Sequence, residues 1–183
     1  MKKYELTAEF IEKWGKKLFR IKALISFGSV EAGELGGYVE KEDNLAQDGD
    51  AWVCDNAWVC GNARVYGNAR VCDDARVYGD ARVYGDARVY GDARVCDNAD
   101  YLLIGRIGSR FSFTTFFKNK DKGITVSCGC FLGTIAEFRA KVTDTHGNNK
   151  HAKIYNLAAD MAELQILGEE HFDKLNTNKS EPF

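Results

Sequence analysis

The sequence predicts a mainly β chain organised around a parallel β-helix, and three observations carry that expectation. From residue 50 to residue 97 one six-residue phrase runs without a break: DAWVCD, NAWVCG, NARVYG, NARVCD, DARVYG, DARVYG, DARVYG, DARVCD. Within each phrase Ala and Val stand two apart. They therefore share one face of an extended segment, while the intervening Arg or Trp and the following Tyr or Cys take the other. Each phrase then closes on Gly, Asp or Asn, residues that tolerate tight corners. Arms this short do not make stable hairpins, whereas a solenoid needs only short sides stacked on copies of themselves.

The phrase resembles the hexapeptide-repeat superfamily of the bacterial and phage transferase type, whose left-handed β-helix takes three hexads per triangular coil. The resemblance implies a left-handed parallel β-helix of about three coils, with residues eighteen apart stacked roughly 4.8 Å from one another. Its outer rows then follow. Trp52 meets Arg70 and Arg88, Trp58 meets Arg76 and Arg94, Arg64 meets Arg82, Cys54 meets Cys72, and Tyr66 meets Tyr84. Trp over Arg permits cation–π contact, and Tyr on Tyr makes an aromatic ladder.

Four segments are expected along the chain. Residues 1–43 read as an N-terminal cap. In it Thr7 starts a short helix running to Lys16, with Phe10, Ile11 and Trp14 at helical spacing, and KLFRIKAL at 17–24 alternates as a strand. Val39, Leu45 and Ala51 fall six apart and extend the inner row downward, covering a strand edge that would otherwise invite aggregation. Residues 44–100 form the repeat. Residues 101–168 form an α+β module of β-β-α-α type. There RFSFTTFF and GITVSCGC pair across the polar turn 118–123, and Thr134 with Glu137 caps a helix that turns Ile135, Phe138 and Val142 inward and ends at Gly147. A second helix, from about Lys150 to Leu167, carries Ile154, Leu157, Met161 and Leu164 at helical spacing and stops at Gly168. Residues 169–183 read as a loose charged tail.

Composition narrows the function classes. Net charge is −2, with Arg rows alternating with Asp corners, so mutual neutralisation is favoured over a nucleic-acid surface, which needs an unopposed basic stripe. No apolar stretch approaches a membrane span and no leader is visible, so a cytoplasmic, non-membrane protein is expected. Of six cysteines, four occupy the repeat position otherwise filled by Tyr, and they are expected to be free thiols acting as small apolar fillers.

Three chemistries compete for the function. The hexapeptide-repeat resemblance implies acyl transfer from coenzyme A by a His base, yet the coils carry no His; His146, His151 and His171 all lie beyond them. Cys128, Cys130, His146 and His151 offer zinc-type ligands at an unfamiliar spacing, and core packing explains the two thiols better, so no metal and no cofactor is expected. Ser109 and Arg110 at a Gly-containing turn, with His146, suit an anionic ligand.

The second half, through IGSR, GCFLGT and THG, resembles uncharacterised phage and prophage proteins, which implies an accessory role toward host machinery such as a defence inhibitor of the anti-CRISPR kind. The reading that results is a non-enzymatic interaction protein, self-associating as a dimer or trimer or docking on a host protein. Its outer rows Trp52, Trp58, Tyr66, Tyr84, Arg70, Arg76, Arg88 and Arg94 serve as the candidate partner surface.

Overall fold

The computed structural model describes residues 1–171 and divides the chain into two compact units, 1–98 and 99–183. The charged tail expected at 169–183 lies, from residue 172 on, outside the described residues.

In the first unit the hexads become two-residue strands: β4 Trp52–Val53, β5 Trp58–Val59, β6 Arg64–Val65, β7 Arg70–Val71, β8 Arg76–Val77, β9 Arg82–Val83, β10 Arg88–Val89 and β11 Arg94–Val95. They pair in parallel as β4-β7-β10, β5-β8-β11 and β6-β9, each residue on the one eighteen further along, which makes a three-sided solenoid. Every Ala and Val of the repeat points inward and is buried. The coils are joined by backbone bonds such as Trp52 N–H to Ala69 O and Cys54 N–H to Val71 O. The expected stacking holds outside as well: Tyr66 and Tyr84 lie nearly parallel with centroids 5.4 Å apart, and the Arg76 guanidinium sits 5.5 Å from the Trp58 ring.

The register also sets the Asn that opens the phrases at 56, 62 and 68 beneath the Asp eighteen residues further along. Asn62 and Asn68 donate side-chain amide hydrogens to Asp80 and Asp86 at 3.0 and 3.1 Å, and Asn56 reaches Asp74 at 3.5 Å. Asp stacked on Asp at this spacing would repel; Asn beneath Asp converts the same contact into a charge-assisted hydrogen bond.

The N-terminal segment departs from expectation. The helix predicted from Thr7 to Lys16 is a strand, β1 Tyr4–Lys13, which folds back on β2 Lys16–Ala23. Trp14 and Gly15 link them with φ of +53° and +73°, the positive pair that a two-residue primed hairpin turn requires. A non-Gly residue at positive φ is uncommon, and here packing compensates: the Trp14 ring meets Trp58 and Tyr78 edge-on at 4.9 and 5.1 Å. β2 pairs with β3 Leu35–Val39, and β3 runs parallel to β5, so the hairpin continues one side of the solenoid as a sheet ordered β1-β2-β3-β5-β8-β11. Gly37 allows this seam, since a Cβ there would strike the Ala57 carbonyl.

The inner row below the first coil is shifted. Val39 pairs with Val59 and Leu45 bridges Val65, each twenty residues apart, so Ala51 does not continue their row. The corner at 46–51 takes up the two extra residues. Lys3 secures it, donating to the carbonyls of Asp48, Gly49 and Ala51.

The cysteines depart too. Cys54 and Cys72, expected as free thiols, are joined in a disulfide, because stacking on adjacent coils brings their Cα atoms to 4.7 Å. Cys60, Cys128 and Cys130 are not so joined.

The second unit holds four strands where two were expected: β12 Tyr101–Ile107, β13 Ser112–Lys118, β14 Ile124–Cys128 and β15 Phe131–Thr134, an antiparallel meander in chain order. Helices α1 Ile135–His146 and α2 Lys150–Leu167 follow. The predicted capping box is present, with the Glu137 N–H donating to Thr134 Oγ1 at 3.3 Å and the Thr134 N–H to Glu137 at 2.8 Å. Phe116, Ile124, Val126, Phe138 and Val142 share one core with Ala152, Tyr155, Ala158, Ala159, Ala162 and Ile166 of α2. The inward side of α2 is thus its alanine side. The larger stripe Leu157, Met161 and Leu164 faces out, with Leu157 63% exposed. Arg139 ties the helices together through Asp160 and Glu163, both at 2.7 Å. Among the described residues no helix is long and apolar enough to cross a membrane.

Candidate functional site

In the meander, the turn after β12 and the turn after β14 fall at the same end of the sheet, and the C-terminal half of α1 lies over that end. Between them is a cavity of about 230 Å³. Its apolar floor is Phe131, Phe138 and Val142, and Phe138 meets both Phe131 and Tyr155 through ring contacts at 5.7 Å. Basic side chains stand around this floor: Arg110 from the first turn, Lys141 from α1 and His146 at the end of α1. Ser109, Ser112 and Cys130 complete the polar rim.

Each part follows from local sequence. The Gly108 turn, at φ +71°, presents Ser109 and Arg110, and it must be Gly because a Cβ there would run into the Tyr155 hydroxyl. A bare Gly129 at the facing turn leaves the Arg110 guanidinium room; a Cβ would lie 3.4 Å from it. On α1, Phe138, Lys141, Val142 and Thr145 recur at helical spacing and line one wall. The Tyr155 hydroxyl has its pKa raised, first by burial and then by the Cys128 thiol beside it, with Arg110 opposing. It therefore stays a neutral hydrogen-bond donor at ordinary pH. Cys128 also accepts from the Thr114 hydroxyl at 3.2 Å.

Ser109, Arg110 and His146, read from the sequence as an anion site, thus line one cavity although the chain between them spans two turns and a helix. Lys141, Tyr155 and the aromatic floor were missed. The spacing of Lys141 from Phe138 and Val142 is a signal that could have found it; nothing in the sequence placed Tyr155. The set Cys128, Cys130, His146 and His151 does not converge as a metal cluster among the described residues, although the His146 and His151 rings lie 5.7 Å apart.

The outer rows of the solenoid divide. Trp52 is fully buried beneath Tyr4 and Phe27, and Trp58 is buried beside Leu18, Tyr38 and Trp14, so neither offers a partner surface. The N-terminal segment, expected to cap only the lower end, also covers these rows. Arg70, Arg76, Arg88 and Arg94 are half-buried; Arg70 bonds Ser29, and Arg88 and Arg94 reach the Asn68 and Asp74 carbonyls of the coil below. Tyr66 and Tyr84 remain open, 37% and 49% exposed.

With this geometry in view, comparison with known proteins bears on the coils. They are similar to the YdcK β-solenoid repeat. That family model matches residues 57–73, 69–85, 75–91 and 81–97, all within the hexads. The YdcK-like stretch stops short of the cavity, which lies in the other unit. No curated protein matches the chain.

Proposed function

We propose that this chain is a non-enzymatic binding protein whose second unit takes a small organic anion, a carboxylate on an aromatic or aliphatic body, in the cavity between the sheet end and α1. The observation that carries the reading is the pairing of Arg110 and Lys141 with a floor of Phe131, Phe138 and Val142. Cations at a rim fix the charged end of a ligand, and an apolar floor takes its body. The cavity is smaller than the roughly 300–1,000 Å³ that encloses drug-sized ligands, which favours a small acid over a nucleotide-bearing cofactor. Acyl transfer on the coils draws no support from the site, because the histidines all lie beyond the hexads.

Benzoate is the probe, titrated into the full chain and followed by amide chemical shifts. Saturable shifts clustered at 109–112, 128–131 and 138–146, absent with neutral benzamide and lost in a folded Arg110→Ala variant, are the expected result. Equal shifts with benzamide, or none with benzoate, overturn the reading.

A protein partner is the second reading, and the Tyr66–Tyr84 ladder favours it. It stacks outward, two residues along the phrase from the exposed row Arg64 and Arg82, on the side of the solenoid formed by β6 and β9. Aromatic and Arg side chains are the residues enriched in protein interfaces. Host-protein docking, or a dimer or trimer of this chain, would use that strip.

A further inference from the structure

Cys54 and Cys72 are the one place among the described residues where the repeat stacks thiol on thiol. Cys60 stacks instead on Tyr78, and Tyr66 on Tyr84. A second peculiarity falls on the same rung. The corners at Gly61, Gly67, Gly79, Gly85 and Gly91 all take positive φ, and the residue following each of these two cysteines takes it as well, yet it is an aspartate: Asp55 at +55° and Asp73 at +61°. Gly would adopt this conformation without strain, so at these two corners a carboxylate stands where the other corners have Gly, and each accepts a backbone N–H of the next coil, Asp73 from Gly91 at 2.7 Å.

The carboxylate of Asp55 is also oriented. Its Oδ2 accepts the Asp73 N–H at 3.3 Å, which holds the side chain along the coil beside the sulfurs. Two sulfurs and a carboxylate oxygen lie within 4.8 Å of one another. Cys54 is half-buried, Asp55 exposed and Cys72 9% exposed, so solvent reaches the rung from the Cys54 and Asp55 side.

We propose that Cys54, Asp55 and Cys72 form a redox-gated site for a thiophilic divalent cation of the zinc class, closed in the disulfide form and opened by reduction. A dithiol reductant delivers two electrons and two protons to the Cys54–Cys72 disulfide. The S–S bond breaks, two protein thiols form, and the reductant leaves as its own disulfide. Metal binding then releases both thiol protons to solvent, and two thiolates with one carboxylate face the cation. Soft sulfur ligands select zinc or cadmium over magnesium and calcium, which take all-oxygen sites. Three protein ligands leave a fourth position for water.

The test uses the full chain, reduced with a phosphine, desalted and titrated with Cd²⁺ while the thiolate-to-cadmium ultraviolet band is followed. Residual binding by the cysteines of the other unit is removed by working in a Cys128→Ser/Cys130→Ser background. One cadmium per chain is expected in the reduced protein, displaced by Zn²⁺ and not by Mg²⁺, and none in the oxidised protein. Asp55→Asn should keep the band but weaken binding about tenfold or more, the range seen when a ligand or its support is lost. Cys54→Ser/Cys72→Ser should abolish it. If that double variant does not fold, the oxidised chain serves as the comparison, since it has the same fold and no dithiol. A reduced chain without a band, or a band that survives in the folded double variant or in the oxidised protein, overturns the proposal.

Discussion

In the solenoid, Ala57, Ala63, Ala69 and Ala75 are fully buried beside Val59, Val65, Val71 and Val77, while Tyr, Arg and Trp of the same phrases point outward. In the second unit, Ala152, Ala158, Ala159 and Ala162 of α2 are likewise buried, but against Phe116, Phe138 and Tyr155, and the helix keeps Leu157, Met161 and Leu164 outside. Both interiors are thus lined by small residues where backbones come close. What differs is the source of the remaining volume: valine from the same phrase in one unit, aromatic rings from other elements in the other. The cavity described above lies in the second arrangement, whose fillers come from different segments and need not repeat. The units also bury charge differently. The first holds the Lys3 ammonium among backbone carbonyls, and the second holds the Glu163 carboxylate against Arg139.

Three measurements would break or sharpen that contrast. Arg139→Ala should have the largest effect, a loss of about 3–5 kcal/mol in urea unfolding, because it strands the buried Glu163; a loss under about 1 kcal/mol would show that the pair is incidental. Next, Ala81→Leu should destabilise by about 1–3 kcal/mol by overpacking the coil interior. In the same assay Leu157→Ala, on the open side of α2, should change stability by no more than about 0.5 kcal/mol. If Leu157→Ala proves the costlier change, the alanine side of α2 is not its core side.

A separate effect concerns pH. Burial lowers the Lys3 pKa from 10.5 to about 8, against the opposing pull of Asp48 and Asp50. Between those values the unfolded chain holds the proton and the folded one does not, so stability rises with pH across the window and is lost as pH falls through about 8. The stability difference between wild type and Lys3→Met should therefore move in favour of wild type from pH 8 to pH 10. A difference independent of pH would mean that Lys3 keeps its proton throughout.

The coil register was legible because the period is strict: once Ala and Val were assigned inward, the pairs Trp58–Arg76 and Tyr66–Tyr84 followed by counting. The hairpin was not, since YELTAEFIEK carries apolar residues at both helical and alternating positions, and the choice is made by the strand edge that β3 offers to β2. The capping box of α1 was local and therefore readable. The core side of α2 was not, because the most apolar stripe and the closest-packed stripe are different ones, and only the nearby sheet selects between them. The same reason divides the cavity. Arg110 announced itself beside a Gly turn, whereas Tyr155 enters through the packing of a helix far along the chain.

The Asn-to-Asp hydrogen bonds between the first two coils have a consequence for how such a chain can lengthen. Asn56, Asn62 and Asn68 are each a donor matched to an acceptor above, so the order of these phrases matters like that of numbered courses of masonry. Copying the Asp-bearing coil and inserting the copy above itself would set carboxylate on carboxylate along all three corners. The present chain already sets Asp92 over Asp74, so growth by duplication would repeat at every corner a contact that the solenoid otherwise avoids where Asn stands below Asp.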